Sequence, residues 1–284
     1  EKTVSSIRRR IKSAPVGPGR SMASDVGQLW RLFGTGLTFA LFGLGGVLSA
    51  VVLVPMLGML VPNPRQRANY GNQLIRWAFY ALIRFISMLR LVSYETRDLD
   101  RLDRTGLLIL ANHPTLLDVI FLIAFTDRAV SIVKSALIRN PFTQSVLRMS
   151  GFIANNSGPE LVKDCLEKME AGNSLIVFPE GTRTGPSGFP RTLQRGAAHI
   201  AVKGKKNITP VVIACAPLLL TKSLPWWKVP RQRPHFVISV KEDIYVASYI
   251  EDCQSEAIAA RNLNQHLIEY FSAELLRDTR KCST

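Results

Sequence analysis

Charged side chains stop at Arg31 and resume at Arg65, and the stretch between them, Leu32 to Pro64, is uncharged and mostly apolar. As one helix it would be roughly 50 Å long, more than the ~30 Å hydrocarbon core of a bilayer requires. Gly43-Leu-Gly-Gly46 near its middle and Pro55 further on are places for a bend. Two arrangements fit: a single tilted transmembrane helix, or a helical hairpin that enters and leaves the same leaflet. Arg8, Arg9, Arg10, Lys12 and Arg20 precede the stretch, and Arg65, Arg67, Arg76 and Arg84 follow it. Positive charge on both flanks favours the hairpin, with both ends cytoplasmic. Residues 70–92 come next with helical periodicity. Asn72, Gln73, Arg76, Arg84, Ser87 and Arg90 share one arc, while Trp77, Phe79, Leu82, Phe85, Ile86 and Leu89 lie elsewhere. That pattern fits a basic amphipathic helix lying along lipid headgroups, or an ordinary helix packed on a globular domain.

After residue 93 the period changes. Short apolar runs at 107–111, 130–133, 151–154, 174–178, 210–215 and 236–240 read as strands. Helical segments fall near 115–126, 141–150, 158–171, 191–203 and 254–277. Strands alternating with helices predict an α/β fold, a mixed and largely parallel sheet flanked by helices, with an N-terminal membrane-embedded helical segment. The chain divides into a basic flexible arm (1–31), a membrane-anchoring helical region (32–92) and a domain that would carry the chemistry (93–284).

Composition narrows the partners. The 284 residues are 47% hydrophobic and 20% charged, with a formal net charge of +15. Such a charge calls for an anionic partner, nucleic acid or an anionic leaflet. A basic face with stacking aromatics on a known nucleic-acid module is absent from the sequence, so membrane lipids are the expected partner and nucleic acid is not. Cys165, Cys215, Cys253 and Cys282 have neither disulfide nor zinc spacing. No metal site is expected, and oligomeric state is not legible.

Two segments carry the chemistry. In Ala111-Asn-His-Pro-Thr-Leu-Leu-Asp118 a histidine precedes an aspartate by five positions. A neutral imidazole takes a proton from a hydroxyl, and a carboxylate on its other nitrogen fixes the tautomer and stabilises the imidazolium. On a continuous helix, residues five apart sit about 140° apart. Pro114 at the first helical position would leave His113 in the preceding turn, within reach of Asp118. Backbone N–H groups at that helix start are the expected oxyanion donors. The second segment, Phe178-Pro-Glu-Gly-Thr-Arg183, is a turn of charged and hydroxyl side chains. Both segments fall just past predicted strands, where α/β sheets place their sites. There is no Gly-x-Ser-x-Gly elbow, which argues against an acyl-enzyme hydrolase.

Asn112-His-Pro-Thr-Leu-Leu-Asp118, Phe178-Pro-Glu-Gly-Thr-Arg183 and Thr209-Pro-Val-Val-Ile213 resemble motifs one, three and four of the lysophospholipid and glycerophosphate acyltransferases. The resemblance covers residues 90–240. It implies a membrane-bound enzyme transferring an acyl group from acyl-CoA or acyl-carrier protein to a lipid hydroxyl. It needs no cofactor, and lysophosphatidic acid is its default acceptor. It implies His113 as base and Asp118 as its orienter. It also puts Glu180, Gly181, Thr182 and Arg183 in the acceptor pocket, with Asn112 and Thr115 as further substrate contacts. The implied setting is a bacterial inner membrane with the domain facing the cytoplasm.

The second motif departs from the family. Ala154 and Asn155 stand where an acid and a phosphate-holding Arg are usual, which removes a bidentate clamp. Lys134, Arg183 or Arg195 would then compensate, or the acceptor differs: an aminoacyl lipid, a polyene or a glycolipid precursor. A non-catalytic lipid-binding homologue is the reading from another class. Two further clusters, Arg191/Arg195/Lys203/Lys205/Lys206 and the Trp226-Trp227 run with its flanking cations, fit a donor-phosphate or lipid contact and an interfacial anchor. His199, His235 and His266 read as structural.

Overall fold

A computed structural model describes residues 22–281 apart from 141–142, 145–146, 148–149, 156–158, 185–191, 223 and 252. Seven strands form one sheet in the order β1-β7-β6-β2-β5-β3-β4. They are β1 (Ser93–Arg97), β2 (Leu108–Ala111), β3 (Ala129–Val133), β4 (Ile153–Ala154), β5 (Ser174–Val177), β6 (Ile208–Ala216) and β7 (His235–Val240). Every neighbouring pair is parallel except β6 with β7. The mixed, largely parallel α/β sheet is therefore as expected.

Strand alternation sorts the side chains into two cores. Ile109, Ala111, Ile176, Val211 and Ile213 face one side, with Phe121 and Ile83. Leu108, Leu110, Leu175, Val177 and Val212 face the other, with Ala198, Leu263 and Phe271. Because both faces are covered, these strands read in sequence as continuous apolar runs. The strand β1 had no such signal. Ser93-Tyr-Glu-Thr-Arg97 is a half-exposed edge strand with one large apolar residue, Tyr94, packed against Phe121 and Phe125.

The helices are α1 (Met22–Leu48), α2 (Val54–Leu60), α3 (Pro64–Met88), α4 (Asp118–Phe125), α5 (Ser135–Arg139), α6 (Pro159–Glu170), α7 (Gly196–Gly204), α8 (Ala247–Glu251) and α9 (Glu256–Lys281). The expected helix at 141–150 falls mostly outside the described residues. The one expected at 191–203 begins at Gly196, because the preceding segment is held to the turn after β5 by Gln194 N–H on the Pro179 carbonyl at 2.6 Å.

The N-terminal region corrects three expectations. Residues 22–31 are not part of a flexible arm but open α1, and the arm's residues 1–21 lie outside the described residues. Trp30 Nε1 donates to the Leu89 carbonyl at 2.9 Å, Gln28 to Val229 at 3.2 Å, and Arg31 to Pro230 at 3.1 Å. The apolar stretch, second, does not fold back on itself. The helix continues through a π-helical segment, Ser49–Leu53, and Val26–Leu60 is long and apolar enough to cross a membrane, with mean hydropathy 2.3 over an 18-residue window. A wider π turn fits the ring of Pro55, which would otherwise press on the carbonyl four residues earlier. Reversal comes at Val61-Pro-Asn63, where the Asn63 side chain caps α3 through the Arg65 N–H at 2.9 Å. The returning limb is α3, which runs antiparallel to α1, with Phe42 stacked on Phe79. Third, α3 is not purely interfacial. Gly71, Asn72, Ile75, Ile83 and Ile86 are buried, and Arg76 pairs with Asp127 at 2.9 Å. Its outer face is mixed, with Leu74, Trp77, Tyr80 and Met88 exposed beside Gln73 and Arg84.

At Gly34 the helix α1 passes so close to Leu91 that a Cβ would lie 2.5 Å from its side chain. Trp226 packs edge-on against Phe39, so the tryptophan run rests on the apolar helix, while Trp227 is 56% exposed.

Candidate active site

The strand β2 stops at Ala111 while its neighbour β6 runs on to Ala216. Asn112 fills the gap. It is 2% exposed, its Nδ2 donates to the Ile213 carbonyl at 2.8 Å, and its Oδ1 accepts the Ile213 N–H at 2.7 Å. The side chain thus replaces the missing main-chain ladder and lets the chain turn out of the sheet. His113 follows at this exit, at the carboxyl end of parallel strands, as the sequence led one to expect.

His113 Nδ1 lies 2.9 Å from Asp118 Oδ2, with the carboxylate fully buried and the imidazole side chain 17% exposed. The means of bringing them together differs from the expected one. Pro114 is not the first helical residue; α4 starts at Asp118 itself, and residues 112–117 form a tight turn. Thr115 closes that turn, its N–H and Oγ1–H donating to the two Asp118 oxygens at 2.6 Å each. An ionised Asp118 accepts the His113 Nδ1–H and leaves the lone pair on Nε2, which has no protein partner among the described residues. Burial pushes the Asp118 carboxyl up, and the bonds from His113 and Thr115 oppose this. Phe178 covers one imidazole face, with ring centroids 4.2 Å apart.

The turn after β5 reaches the same place. Gly181 has φ +67°, a conformation glycine adopts without strain, and its N–H closes the turn on the Phe178 carbonyl at 3.0 Å. Glu180 Oε1 accepts the His113 N–H at 3.0 Å and the Thr184 hydroxyl at 2.8 Å. Arg183 Nη1 donates to the Leu220 carbonyl at 2.7 Å, which ties the turn to the loop after β6. Gly181 is exposed and Thr182 half-buried at the rim.

Three expectations change here. Asn112 and Thr115 are buried with their polar atoms engaged by the protein, so they position the pair and do not meet substrate. Nor are three of the amides before the helix start open oxyanion donors. Those of His113 and Thr115 serve carboxylates, and that of Leu117 serves Thr115 Oγ1 at 3.2 Å. The basic cluster, finally, does not gather, since Arg195 precedes α7 and Lys203–Lys206 lie at its far end, while Arg191 is outside the described residues. Lys134 is exposed just past β3. The adjoining edge strand β4 ends at Ala154, and the following Asn155 N–H bonds to the Val133 carbonyl at 2.8 Å. Two contributors, Phe178 and Thr184, were not singled out from the sequence. Phe178 lay inside the quoted string, and a second Thr two positions after the first was the available signal for Thr184.

The protein-family description "Acyltransferase" matches residues 93–214, which hold His113, Asp118 and the turn after β5. A 1-acyl-sn-glycerol-3-phosphate acyltransferase of Helicobacter pylori is 33% identical over 117 residues, covering 39% of this chain and 49% of its own. One of the same description from Borreliella burgdorferi is 31% identical over 116 residues, covering 39% and 46%. Residues 93–214 are thus similar to acyltransferases. The chain spans about half the length of these curated relatives. The crystal structure of the 1-acyl-sn-glycerophosphate (LPA) acyltransferase PlsC from Thermotoga maritima has the same fold. Its TM-score is 0.64 at 20% identity, covering 86% of this chain and 97% of that one.

At this site burial raises the Glu180 carboxyl above the ordinary glutamate range, and the two donated hydrogen bonds pull it back only in part. A folded pKa above the unfolded value of about 4.3 means that ionising Glu180 costs the folded state. Stability attributable to this group is highest at acid pH and falls as pH rises through the raised value. The melting temperature of Glu180→Gln relative to wild type should therefore increase between about pH 4 and neutrality. A difference that is flat or shrinks over that range would contradict the assignment.

Proposed function

We propose that this chain is an O-acyltransferase that moves a fatty acyl group from acyl-CoA or acyl-carrier protein to the hydroxyl of a lysophospholipid-type acceptor, 1-acylglycerol-3-phosphate in the first place. The observation that carries the reading is the 2.9 Å contact of His113 Nδ1 with the fully buried Asp118. In the proposed step, His113 Nε2 takes the acceptor hydroxyl proton as the oxygen attacks the thioester carbonyl. The tetrahedral intermediate collapses, the C–S bond breaks, and the thiolate leaves with the proton from the imidazolium. One ester and one thiol form, and no acyl-enzyme is needed. Exposed Lys134 and half-buried Arg183 are the proposed acceptor-phosphate contacts.

The membrane reading follows from the hairpin. The helix α3 is pinned along the domain by Asn69–Arg128 and Arg76–Asp127, and α1 lies antiparallel on it. A bilayer crossing by α1 would carry these ionised groups into hydrocarbon, at a cost of several kcal/mol. The hairpin is therefore proposed to lie in one leaflet, its exposed apolar residues in lipid and its site facing the cytoplasm. The bacterial relatives make the inner membrane the proposed location.

A second reading rests on Ala154-Asn155. With no guanidinium at that strand end, an acceptor lacking phosphate there fits equally well. The full chain in lipid vesicles, given acyl-CoA or acyl-carrier protein and a panel of acceptors including lysophosphatidic acid, tests both. Thiol and ester released in equal amounts, only with an acceptor present, are expected. Absence of acceptor-dependent thiol with either donor would overturn the enzymatic reading. Turnover only with acceptors lacking phosphate would favour the second reading.

A further inference from the structure

Both main-chain polar groups of His113 are held by the turn after β5. Its N–H donates to Glu180 Oε1 at 3.0 Å, and its carbonyl accepts the Thr184 N–H at 2.6 Å. Thr184, 4% exposed, also donates its hydroxyl to the same Glu180 oxygen at 2.8 Å. The three residues close a ring of hydrogen bonds, His113 N–H to Glu180, Thr184 O–H to Glu180, and Thr184 N–H to His113 C=O. Asp118 and Phe178 restrain the imidazole itself; this ring restrains the backbone from which it projects.

We infer that Thr184 is a positioning residue for His113, acting through Glu180, and that Glu180 serves the base's backbone instead of the acceptor. The inference rests on the acyl-transfer reading and deepens it. A catalytic base must sit within hydrogen-bond reach of the proton it removes, and small misplacements far from the chemistry cost rate more than binding. Losing the hydroxyl leaves the Glu180 oxygen with one donor and frees the carboxylate to swing. The Thr184 N–H contact to His113 does not depend on the side chain.

The test compares Thr184→Val, which keeps the shape and loses the hydroxyl, with Thr184→Ser, which keeps it, in vesicles with acyl-CoA and lysophosphatidic acid. For Thr184→Val we expect kcat to fall roughly tenfold, with acceptor KM within a factor of two. For Thr184→Ser we expect kcat within a factor of two of wild type. Unchanged kcat in Thr184→Val would overturn the inference, as would an equal loss in Thr184→Ser or a rise in KM alone. Should Thr184→Val fail to fold, Thr184→Ala is read in its place against the same Ser standard. A His113→Ala control separates the failures. If it is inactive while Thr184→Val is normal, only this inference fails; if it is fully active, His113 is not the base and this inference fails with that assignment, whereas wild type without acceptor-dependent thiol release overturns the acyl-transfer reading itself.

Discussion

His113→Ala is expected to lose acceptor-dependent acyl transfer to background, and Asp118→Asn to lose on the order of 10³- to 10⁴-fold in kcat, both with the fold retained. The argument for Asp118 is one of donors and acceptors. Its two oxygens take three hydrogens, from His113 Nδ1, the Thr115 N–H and the Thr115 hydroxyl, inside a fully buried site. An asparagine has one acceptor oxygen and an amide that only donates. Turned toward Thr115 Oγ1, the amide is accepted by the hydroxyl and the ring keeps its tautomer, but the negative charge that stabilises the imidazolium is gone; turned toward the ring, it also meets the Thr115 N–H, donor against donor. If the amide faces the ring, Nδ1 must become the acceptor and Nε2 the N–H, which is the wrong tautomer for a base. Measuring kcat and KM beside a melting curve checks this. A loss below tenfold in Asp118→Asn with an intact fold would remove Asp118 from the proposed mechanism.

Asn112→Ala is expected to cost about 2–4 kcal/mol of stability, a drop of very roughly 5–15 °C in melting temperature. The Ile213 N–H and carbonyl lie on a strand with no main-chain partner beyond Ala111 on that side, and the Asn112 amide supplies both bonds at 2.7 and 2.8 Å. Alanine leaves both groups buried and unpaired, each costing about 1–3 kcal/mol. Thermal unfolding followed by circular dichroism measures the effect. A change below about 2 °C would mean that the gap is closed by other means.

These two residues also show how legible the site was. His113 and Asp118 could be read because acid–base chemistry asks for those side chains, and the resemblance assigned their roles. Thr115 and Asn112 were named in the right segment but for the wrong task, because a short polar side chain looks the same in sequence whether it faces ligand or backbone. Burial separates the two, and burial is a property of packing. Thr184 escaped notice for a related reason: a threonine beyond a loop has meaning only when the loop's path brings it to Glu180. In the fold, strands buried on both faces announced themselves as apolar runs, whereas the half-exposed edge strand β1 did not. The apolar stretch 32–64 was plain in composition, yet its path was not, since Gly43–Gly46 and Pro55 mark possible bends and neither decides where the chain turns.

By itself the sequence determined the α/β class, the carboxyl-end location of the chemistry, the His–Asp pair and an apolar, basic-flanked N-terminal region. Period, composition and side-chain chemistry are local quantities, and those features depend on little else. Only the tertiary structure decided that the hairpin reverses at Val61–Asn63, that α3 is gripped by the domain, and that the helix after His113 starts at Asp118. It alone joined the turn after β5 to the base through Glu180 and Thr184. Each of these depends on which distant groups satisfy one another's hydrogen bonds and burial, and no window along the chain contains both partners.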